Sequence, residues 1–400
     1  MKEIIKKLIP SFLLNWYHLL LAFFGTVLYQ FPSKKLKVIG VTGTNGKTTT
    51  IEMVSKILEE ARYKVAVLNS IKFKIRDKEW PNTLKMTMPG RLKLQRFLRQ
   101  AVNSGCQYAV LEVTSEGIKQ HRHRFIDFDV AIFTNLTPEH IEAHGSFEKY
   151  KEAKGKLFQV IKGIHIINVD DENAKYFLQF PADKKYQYQI LGDQISINGD
   201  PISINLKLLG KFNLYNAAAA ICVGLSQGIN LETCKSVLEK IEVIPGRMEE
   251  VISEPFKVFI DYAFTPNALE KVYQTLKPKE GKMIAVLGAC GGGRDRWKRP
   301  VLGEIAGKYC DEVIITNEDP YDEDPMEIIN QVANGCHGKA KKILDRREAI
   351  TTALKITSPG DIVIITGKGC EPWICVARGQ KIPWDDREVV REEFKKLTLA

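Results

Sequence analysis

Residues 42–50 read Thr-Gly-Thr-Asn-Gly-Lys-Thr-Thr-Thr, and their flanks decide what they can do. Val38-Ile39-Gly40-Val41 ahead of them is a strand-like run, and Ile51-Glu52-Met53-Val54 behind them begins a helical pattern. A strand, a glycine loop and a helix start make an anion site, because the first N–H groups of a helix lack internal partners and its N-terminal end is partly positive. Gly43, Thr44, Asn45, Gly46 and Thr49 would form the cradle for the β- and γ-phosphates of a nucleotide. Lys47 would supply a mobile positive charge and Thr48 a hydroxyl ligand for Mg²⁺. The interval from Gly43 to Gly46-Lys47 is shorter than in the generic G-x-x-x-x-G-K-[ST] loop, so that motif is not matched as written. The context of strand, loop and helix still points to nucleotide binding.

The elements needed to position this loop are legible as alternating apolar runs and helical patterns, the pattern of an α/β fold with mainly parallel sheets. Strands are expected at 37–41, 65–68, 108–112, 130–133 and 164–168, with helices in the intervals. A small β excursion at 185–207 turns at Asn198-Gly199-Asp200, and helices follow from about Leu214 and Leu231. After Pro245-Gly246 a second α/β series places strands at 258–261, 283–287, 312–315 and 362–365. The expected architecture is a hydrophobic N-terminal helical segment (1–35), a central ATP-binding domain (36–245) and a C-terminal Rossmann-like domain (246–400), with a hinge at 244–249.

Composition excludes several classes. With 44% hydrophobic and 26% charged residues the chain can bury sizeable cores, so neither wholesale disorder nor a small disulfide scaffold fits. Eight scattered cysteines with no C-x-x-C pair give no zinc ribbon or redox motif. The net charge is +10, and the first 37 residues, with six lysines against one glutamate, hold half of it. That asymmetry argues against a nucleic-acid partner and for an anionic surface met by the N-terminus. Residues 11–31 carry no formal charge and have lysines on both sides. They read as a peripheral membrane contact over residues 8–31, either an interfacial helix or a re-entrant hairpin bending near Gly25. A helix packed on the protein's own body or on a second subunit, and a true bilayer span, are the alternatives.

At TGTNGKTTT the chain resembles the Mur ligase superfamily, and the similarity runs from 36 to about 395. It continues through Leu111-Glu112-Val113-Thr114-Ser115, Thr134-Asn135-Leu136-Thr137-Pro138-Glu139-His140 with His144-Gly145, and Tyr150-Lys151-Glu152-Ala153-Lys154. Asn213-Leu214-Tyr215-Asn216-Ala217, Pro245-Gly246-Arg247-Met248-Glu249, Asp261-Tyr262-Ala263 and Gly367-Lys368-Gly369 extend it. The block 291–325, with Arg294-Asp295-Arg296 and Lys298-Arg299-Pro300, resembles the branch that adds the third peptide residue, diaminopimelate or lysine, to UDP-N-acetylmuramoyl-L-alanyl-D-glutamate. The resemblance implies an ADP-forming amide ligase of cell-wall precursors, cytoplasmic and, given the N-terminal segment, at the inner face of the membrane. An acceptor carboxylate would take the γ-phosphate of ATP, and an amino acid's amine would then displace phosphate. It further implies Thr48, Glu112, His140 and Lys154 as ligands of two Mg²⁺ ions, with Lys154 converted by CO₂ into a carbamate. Lys47, Lys154, His140 and Arg247 would act in catalysis. Asn216 would read adenine, Asp261 would hold the ribose, and Arg247 would reach the γ-phosphate. Thr87, Ser115, Asp319, Tyr321, Gly367 and Glu371 would contact the muropeptide-like acceptor or the amino acid.

Departures bear on the substrate. The branch begins with a domain that grips the UDP sugar, whereas here the phosphate loop starts at residue 42, so UDP is bound by another surface or the acceptor is lipid-linked. Where diaminopimelate-adding enzymes carry D-N-P-R, this chain has Asp319-Pro320-Tyr321 after Glu318, and tyrosine cannot fork onto a carboxylate. With Asp322, Glu323 and Asp324 nearby, the loop would receive an amine-ended side chain, unless its acids are merely solvated. Cys370 stands in place of a histidine and reads as a packing substitution. A membrane-associated nucleotide-binding scaffold without catalysis is the alternative of a different class.

Overall fold

A computed structural model describes residues 10–84 and 86–399 of the 400. The chain forms two compact units: residues 1–136, 148–207 and 211–241 make the first, and residues 137–147, 208–210 and 242–400 make the second.

The first unit is built on a sheet whose strands are β1 (Lys37–Thr42), β2 (Val65–Leu68), β3 (Lys72–Ile75), β4 (Lys78–Pro81), β5 (Tyr108–Glu112), β6 (Val130–Phe133), β7 (Ile164–Asn168), β8 (Lys184–Leu191), β9 (Gln194–Ile197) and β10 (Asp200–Ile202). Their order is β10-β9-β8-β7-β6-β1-β5-β2-β3-β4, with a parallel centre and antiparallel edges. The central strands are buried throughout apart from exposed Lys37 and half-buried Ile164, which is why they read as continuous apolar runs rather than alternating ones. β1 lies between β5 and β6, with Val41 opposite Glu112 and Thr42 opposite Phe133. The carboxyl ends of three strands therefore converge where an open α/β sheet binds its ligands. Asn198 and Gly199 both take positive φ in the two-residue turn between β9 and β10.

Two expectations for this unit need correction. The interval 69–107 is not helix alone, since the hairpin β3-β4 precedes the helix Arg91–Asn103. Lys72-Phe73-Lys74-Ile75 alternates with the period of a strand, and Arg76 turns it at φ 56°. The hydrophobic N-terminal segment does not bend at Gly25: Ser11–Leu28 is one helix. Gly25 is buried within it, and a Cβ there would lie 3.1 Å from Leu92 Cδ2. Its glycine thus serves close helix packing rather than a turn. Among the described residues no helix is long and apolar enough to cross a membrane.

The second unit has a sheet in the order β11-β12-β16-β13-β14-β15, from β11 (Glu249–Ile252), β12 (Lys257–Asp261), β13 (Met283–Leu287), β14 (Glu312–Ile315), β15 (Ala340–Lys342) and β16 (Ile362–Thr366). Only the pairing of β11 with β12 is antiparallel. Val258, Ile260, Ile284, Val286, Val363 and Ile365 form its core with Ile350 and Val390 from helices. Segment 137–147 joins this unit through a buried ion pair, Lys298 Nζ to Glu139 Oε1 at 2.8 Å, and through Asp295, whose carboxylate accepts from the N–H groups of Ile141 and Glu142.

Candidate active site

In the first unit the phosphate loop follows β1 and leads into the helix Lys47–Glu60. Gly43 and Gly46 both have positive φ, and both are hemmed in. A Cβ at Gly43 would sit 1.9 Å from Thr134 Oγ1, and one at Gly46 would sit 2.3 Å from Asn216 Oδ1. Only glycine satisfies both backbone and neighbour there. The loop is fastened to the end of β6: Asn45 N–H donates to Asn135 Oδ1, Thr44 N–H to the Asn135 carbonyl, and Thr134 Oγ1 to the Asn45 carbonyl. Thr44 Oγ1 also meets the Tyr150 hydroxyl at 3.1 Å.

Behind this cradle Thr48 Oγ1 donates to Glu112 Oε2 at 2.8 Å, and Lys47 Nζ lies 3.8 Å from Glu112 Oε1. Ser70 completes the group, with its hydroxyl 2.8 Å from Thr48 Oγ1 and its N–H donating to Glu112 Oε2. Magnesium takes hard oxygen ligands, commonly one or two carboxylates plus phosphate and water, so this hydroxyl–carboxylate pair fits a nucleotide-bound ion. No cluster of three or more His, Cys, Asp or Glu side chains suited to a metal occurs among the described residues. Lys154 is 2% exposed, donates to the Gly43 carbonyl at 2.7 Å and lies over the Tyr150 ring. Burial, reinforced by nearby Lys47, holds its amine well below the usual lysine range. An uncharged amine is the form that reacts with CO₂, so the environment suits the expected carbamate.

Asn216 is buried in the helix Phe212–Ser226, where its Oδ1 accepts from Thr50 and its Nδ2 donates to Asn213 Oδ1. Its amide is tied both to the phosphate loop and to Asn213. Thr87 and Ser115 lie on neighbouring elements. Ser115 starts the short helix Ser115–Lys119 behind the Thr114 cap, and a Cβ at Gly117 would collide with Met88 Sδ at 2.4 Å. Arg122 donates to the Met88 carbonyl and Arg91 to that of Gln120, which binds the Thr87 loop to this turn.

In the second unit the expected residues gather at the carboxyl ends of β12, β14 and β16. Asp261 is buried, and its two oxygens accept from Met248 N–H at 2.7 Å and Ala263 N–H at 2.6 Å. Burial pushes its carboxyl up. It thereby shapes the turn carrying Arg247, whose guanidinium lies 4.6 Å above the Tyr262 ring. Tyr262 donates to Glu371 Oε1, and Lys368, wholly buried, bridges Glu371 Oε2 at 2.6 Å and Asp319 Oδ1 at 3.0 Å. Gly367 has φ 104°, and a Cβ there would strike Glu318 Oε2. Gly246 approaches Gly369 and Cys370 with similar closeness. Burial pushes the Cys370 thiol up, in keeping with a packing role. His140 opens the helix Ile141–His144 at φ 56° in segment 137–147 of this unit.

The acidic loop differs from a receptor for an amine. Asp319 accepts from Lys368 and from Cys375 N–H, Asp322 from Arg378 N–H, Glu323 pairs with Arg296 and Arg299, and Asp324 caps the helix Pro325–Gly335. These charges hold the loop itself together. Tyr321, at φ 54°, lies against Gly292, where a Cβ would fall 2.7 Å from its ring. Ser70, Lys368 and Tyr262 carry no role in the expected set. Ser70 could have been found as the second residue beyond β2, at the ligand-facing edge of the sheet.

Comparison with known proteins finds similarity along most of the chain. Residues 41–224 match the Mur ligase middle domain, and residues 246–369 match the Mur ligase glutamate ligase domain. The UDP-N-acetylmuramoyl-L-alanyl-D-glutamate–2,6-diaminopimelate ligase of Syntrophomonas wolfei is 38% identical over 398 residues, covering 93% of this chain and 81% of its own. A UDP-N-acetylmuramyl-tripeptide synthetase of Roseiflexus is 35% identical, covering 94% and 82%. A solved diaminopimelate ligase of the same description matches at 31% identity with a TM-score of 0.59, over 91% of this chain and 79% of that one. A Mycobacterium tuberculosis folylpolyglutamate synthase complexed with ADP and AMPPCP shares the fold at 18% identity, TM-score 0.71, over 87% and 92%.

Proposed function

We propose, from the premise that the chain belongs to the Mur ligase family, how its own residues carry out that family's reaction. The protein is an ADP-forming amide ligase acting on a muramyl-peptide precursor. The acceptor carboxylate attacks the γ-phosphorus of ATP, and ADP leaves to give an acyl phosphate. The amine of the incoming amino acid then attacks the acyl carbon, phosphate leaves, and the nitrogen gives up a proton as the amide forms. Two anions must meet in the first step, so charge neutralisation dominates the barrier. The observation that carries the assignment is the Thr48–Glu112 hydrogen bond of 2.8 Å beside Lys47. Lys47 offsets the phosphate charge, and the loop amides hold the β- and γ-phosphates. Mg²⁺ held by Thr48 and Glu112, with a carbamate on Lys154 as a further oxygen ligand, would supply further charge neutralisation.

Arg247 acts on the γ-phosphate and Asp261 sets its turn, while Asn216 supports the loop beneath the nucleotide. Thr87 and Ser115 receive the acceptor; Tyr321, Gly367 and Glu371 receive the amino acid. Tyr321 lacks the guanidinium that would fork onto a second carboxylate, so a diamino acid with one carboxylate, such as lysine, is favoured over diaminopimelate. Asp319 acts through Lys368 by holding the loop. We place the reaction in the cytoplasm at the inner face of the membrane, with residues 8–31 as the contact; residues 8 and 9 lie outside the described residues. A lipid-linked acceptor is the second reading, favoured by the exposed apolar side of the helix Ser11–Leu28.

The test is Mg-ATP-dependent phosphate release with UDP-N-acetylmuramoyl-L-alanyl-D-glutamate and, separately, lysine, ornithine or diaminopimelate, with Lys47→Ala as the blank. Release that requires the acceptor and one amino acid, with the matching product mass, is expected. Absence of release from protein that binds ATP would overturn the UDP-linked acceptor and turn the assay to lipid-linked muropeptides.

A further inference from the structure

The helix Ser11–Leu28 has one side held by the first unit and another that is apolar and exposed. Ala22, Gly25 and Thr26 are buried, and Gly25 abuts Leu92 on the helix Arg91–Asn103. Arg99 of that helix donates to the carbonyls of Tyr29 and Gln30, Phe23 stacks edge-on with Phe125, and Asn15 bonds His121. This side is fixed to the first unit. The other side repeats at helical spacing as Leu13, Trp16, Tyr17, Leu20, Phe24, Val27 and Leu28, each 45–59% exposed. Aromatic side chains of about 150–250 Å² apiece, half exposed in one stripe, exceed the patch an isolated soluble protein ordinarily shows to water.

We propose that this face lies in the headgroup region of an anionic lipid bilayer, with the helix axis in the membrane plane. The inference deepens the membrane contact proposed above and rests on that reading. Charge decides between lipid and a second copy of the chain. Exposed Lys34 and Lys35 follow the stripe, Lys2, Lys6 and Lys7 precede it in sequence, and residues 11–37 contain no acid. Pairing two such helices in parallel brings Lys34 and Lys35 of one copy against those of the other, and these lysines outnumber exposed Asp127, whose N–H donates to Ser33 Oγ beside them. Anionic headgroups supply the charge that receives Lys34 and Lys35. Trp16 and Tyr17 suit the same depth, with apolar rings and polar edges. A bilayer span is excluded by the buried face, since lipid cannot surround a helix that the protein covers on one side.

Full-length protein is mixed with vesicles of phosphatidylcholine alone and of an equimolar mixture with phosphatidylglycerol, and bound protein is read by co-sedimentation. Binding to the anionic vesicles is expected, weakened by salt between about 0.1 and 0.5 M as surface charge is screened. Leu20→Asp with Phe24→Asp, at exposed positions, removes it. Lys34→Glu with Lys35→Glu weakens it by about tenfold or more, each lysine near an anionic surface contributing about 1 kcal/mol. ATP binding by each variant reports an intact first unit, and phosphate release with a soluble acceptor reports the ligase separately. No binding to anionic vesicles by protein that binds ATP overturns the proposal while leaving the ligase assignment standing. Equal binding to both vesicles overturns the anionic occupant. A dimer dissociated by Leu20→Asp and Phe24→Asp in sedimentation velocity, without vesicle binding, makes the face an interface between copies.

Discussion

Gly46 carries two demands that can be separated by experiment. Its φ of +83° strains any side chain, and its Cβ position lies 2.3 Å from the Asn216 amide. Gly105, in the same unit, has φ +73° with nothing within 4 Å. Gly105→Ala should therefore cost about 1–2 kcal/mol from the left-handed backbone alone and leave ATP affinity unchanged. Gly46→Ala should carry the same strain and also lower ATP affinity about tenfold or more, because the loop must shift to clear Asn216. Isothermal titration of both variants decides it. A second residue controls acid stability. His123 is 2% exposed, and neither ring nitrogen finds a hydrogen-bond partner among the described residues. Burial, with Arg124, His121 and Lys156 adding to it, pushes its pKa down to about 3 from 6.5. The unfolded chain then binds a proton that the folded one refuses, so stability falls as pH drops from about 6.5 toward 3 and is unaffected above. The full shift corresponds to roughly 4–5 kcal/mol. His123→Leu should flatten that limb, seen as an acid-unfolding midpoint moved to lower pH with little change at pH 8. The phosphate loop was legible residue by residue because glycine, lysine and threonine there answer to local backbone and charge. His123 was not, since nothing in the order of residues 119–127 announces that a histidine between two arginines will be buried.

The same contrast holds for elements. Strands at 65–68, 108–112, 130–133, 164–168, 283–287 and 312–315 were legible to the residue because parallel central strands are buried on both faces and so are apolar along most of their length. The hairpin β3-β4 escaped notice, since Lys72-Phe73-Lys74-Ile75 offers only two apolar residues and its pairing depends on β2. Of the N-terminal helix, existence was legible and its partner was not, because apolar residues run around most of it and sequence periodicity cannot say which side the body covers. Arg99 is the residue that settles this, with its guanidinium clamping the carbonyls of Tyr29 and Gln30 beyond the helix end. Charge-assisted hydrogen bonds of this kind contribute about 1.5–3 kcal/mol. Arg99→Met should raise amide hydrogen exchange across 11–31 about tenfold or more, with ATP affinity unaltered. Unchanged exchange would mean that the Gly25–Leu92 packing holds the helix without the clamp.

At the scale of the molecule the path of the chain matters more than the place of its main boundary. A single cut near residue 245 separates two α/β series in sequence, yet segment 137–147 leaves the first unit, packs in the second and returns. This excursion was hidden because its anchors are long-range: the buried pair of Glu139 with Lys298, separated by 159 positions and each ordinary for a surface, and the Asp295 carboxylate that accepts from Ile141 and Glu142 N–H. Burial pushes the Glu139 carboxyl up against the opposing effect of Lys298, as expected of a charge held in place by one partner. In the full chain, Lys298→Met strands that carboxylate and should destabilise by about 3 kcal/mol, the lower end for a broken buried pair, because Glu139 can take a proton instead. The loss should shrink as pH falls and protonation becomes easier. A fragment of residues 242–400 lacks Glu139 altogether, so Lys298 has no anion to satisfy there and retains only its approach to the Phe264 ring. In that fragment Lys298→Met should change stability by less than about 1 kcal/mol, the value of an exposed cation–π contact. Urea unfolding of both forms, with and without the substitution, compares the two costs directly. Equal costs would show that Lys298 acts within the C-terminal series alone, and the excursion of 137–147 would then be a consequence of its sequence neighbours rather than of the pair.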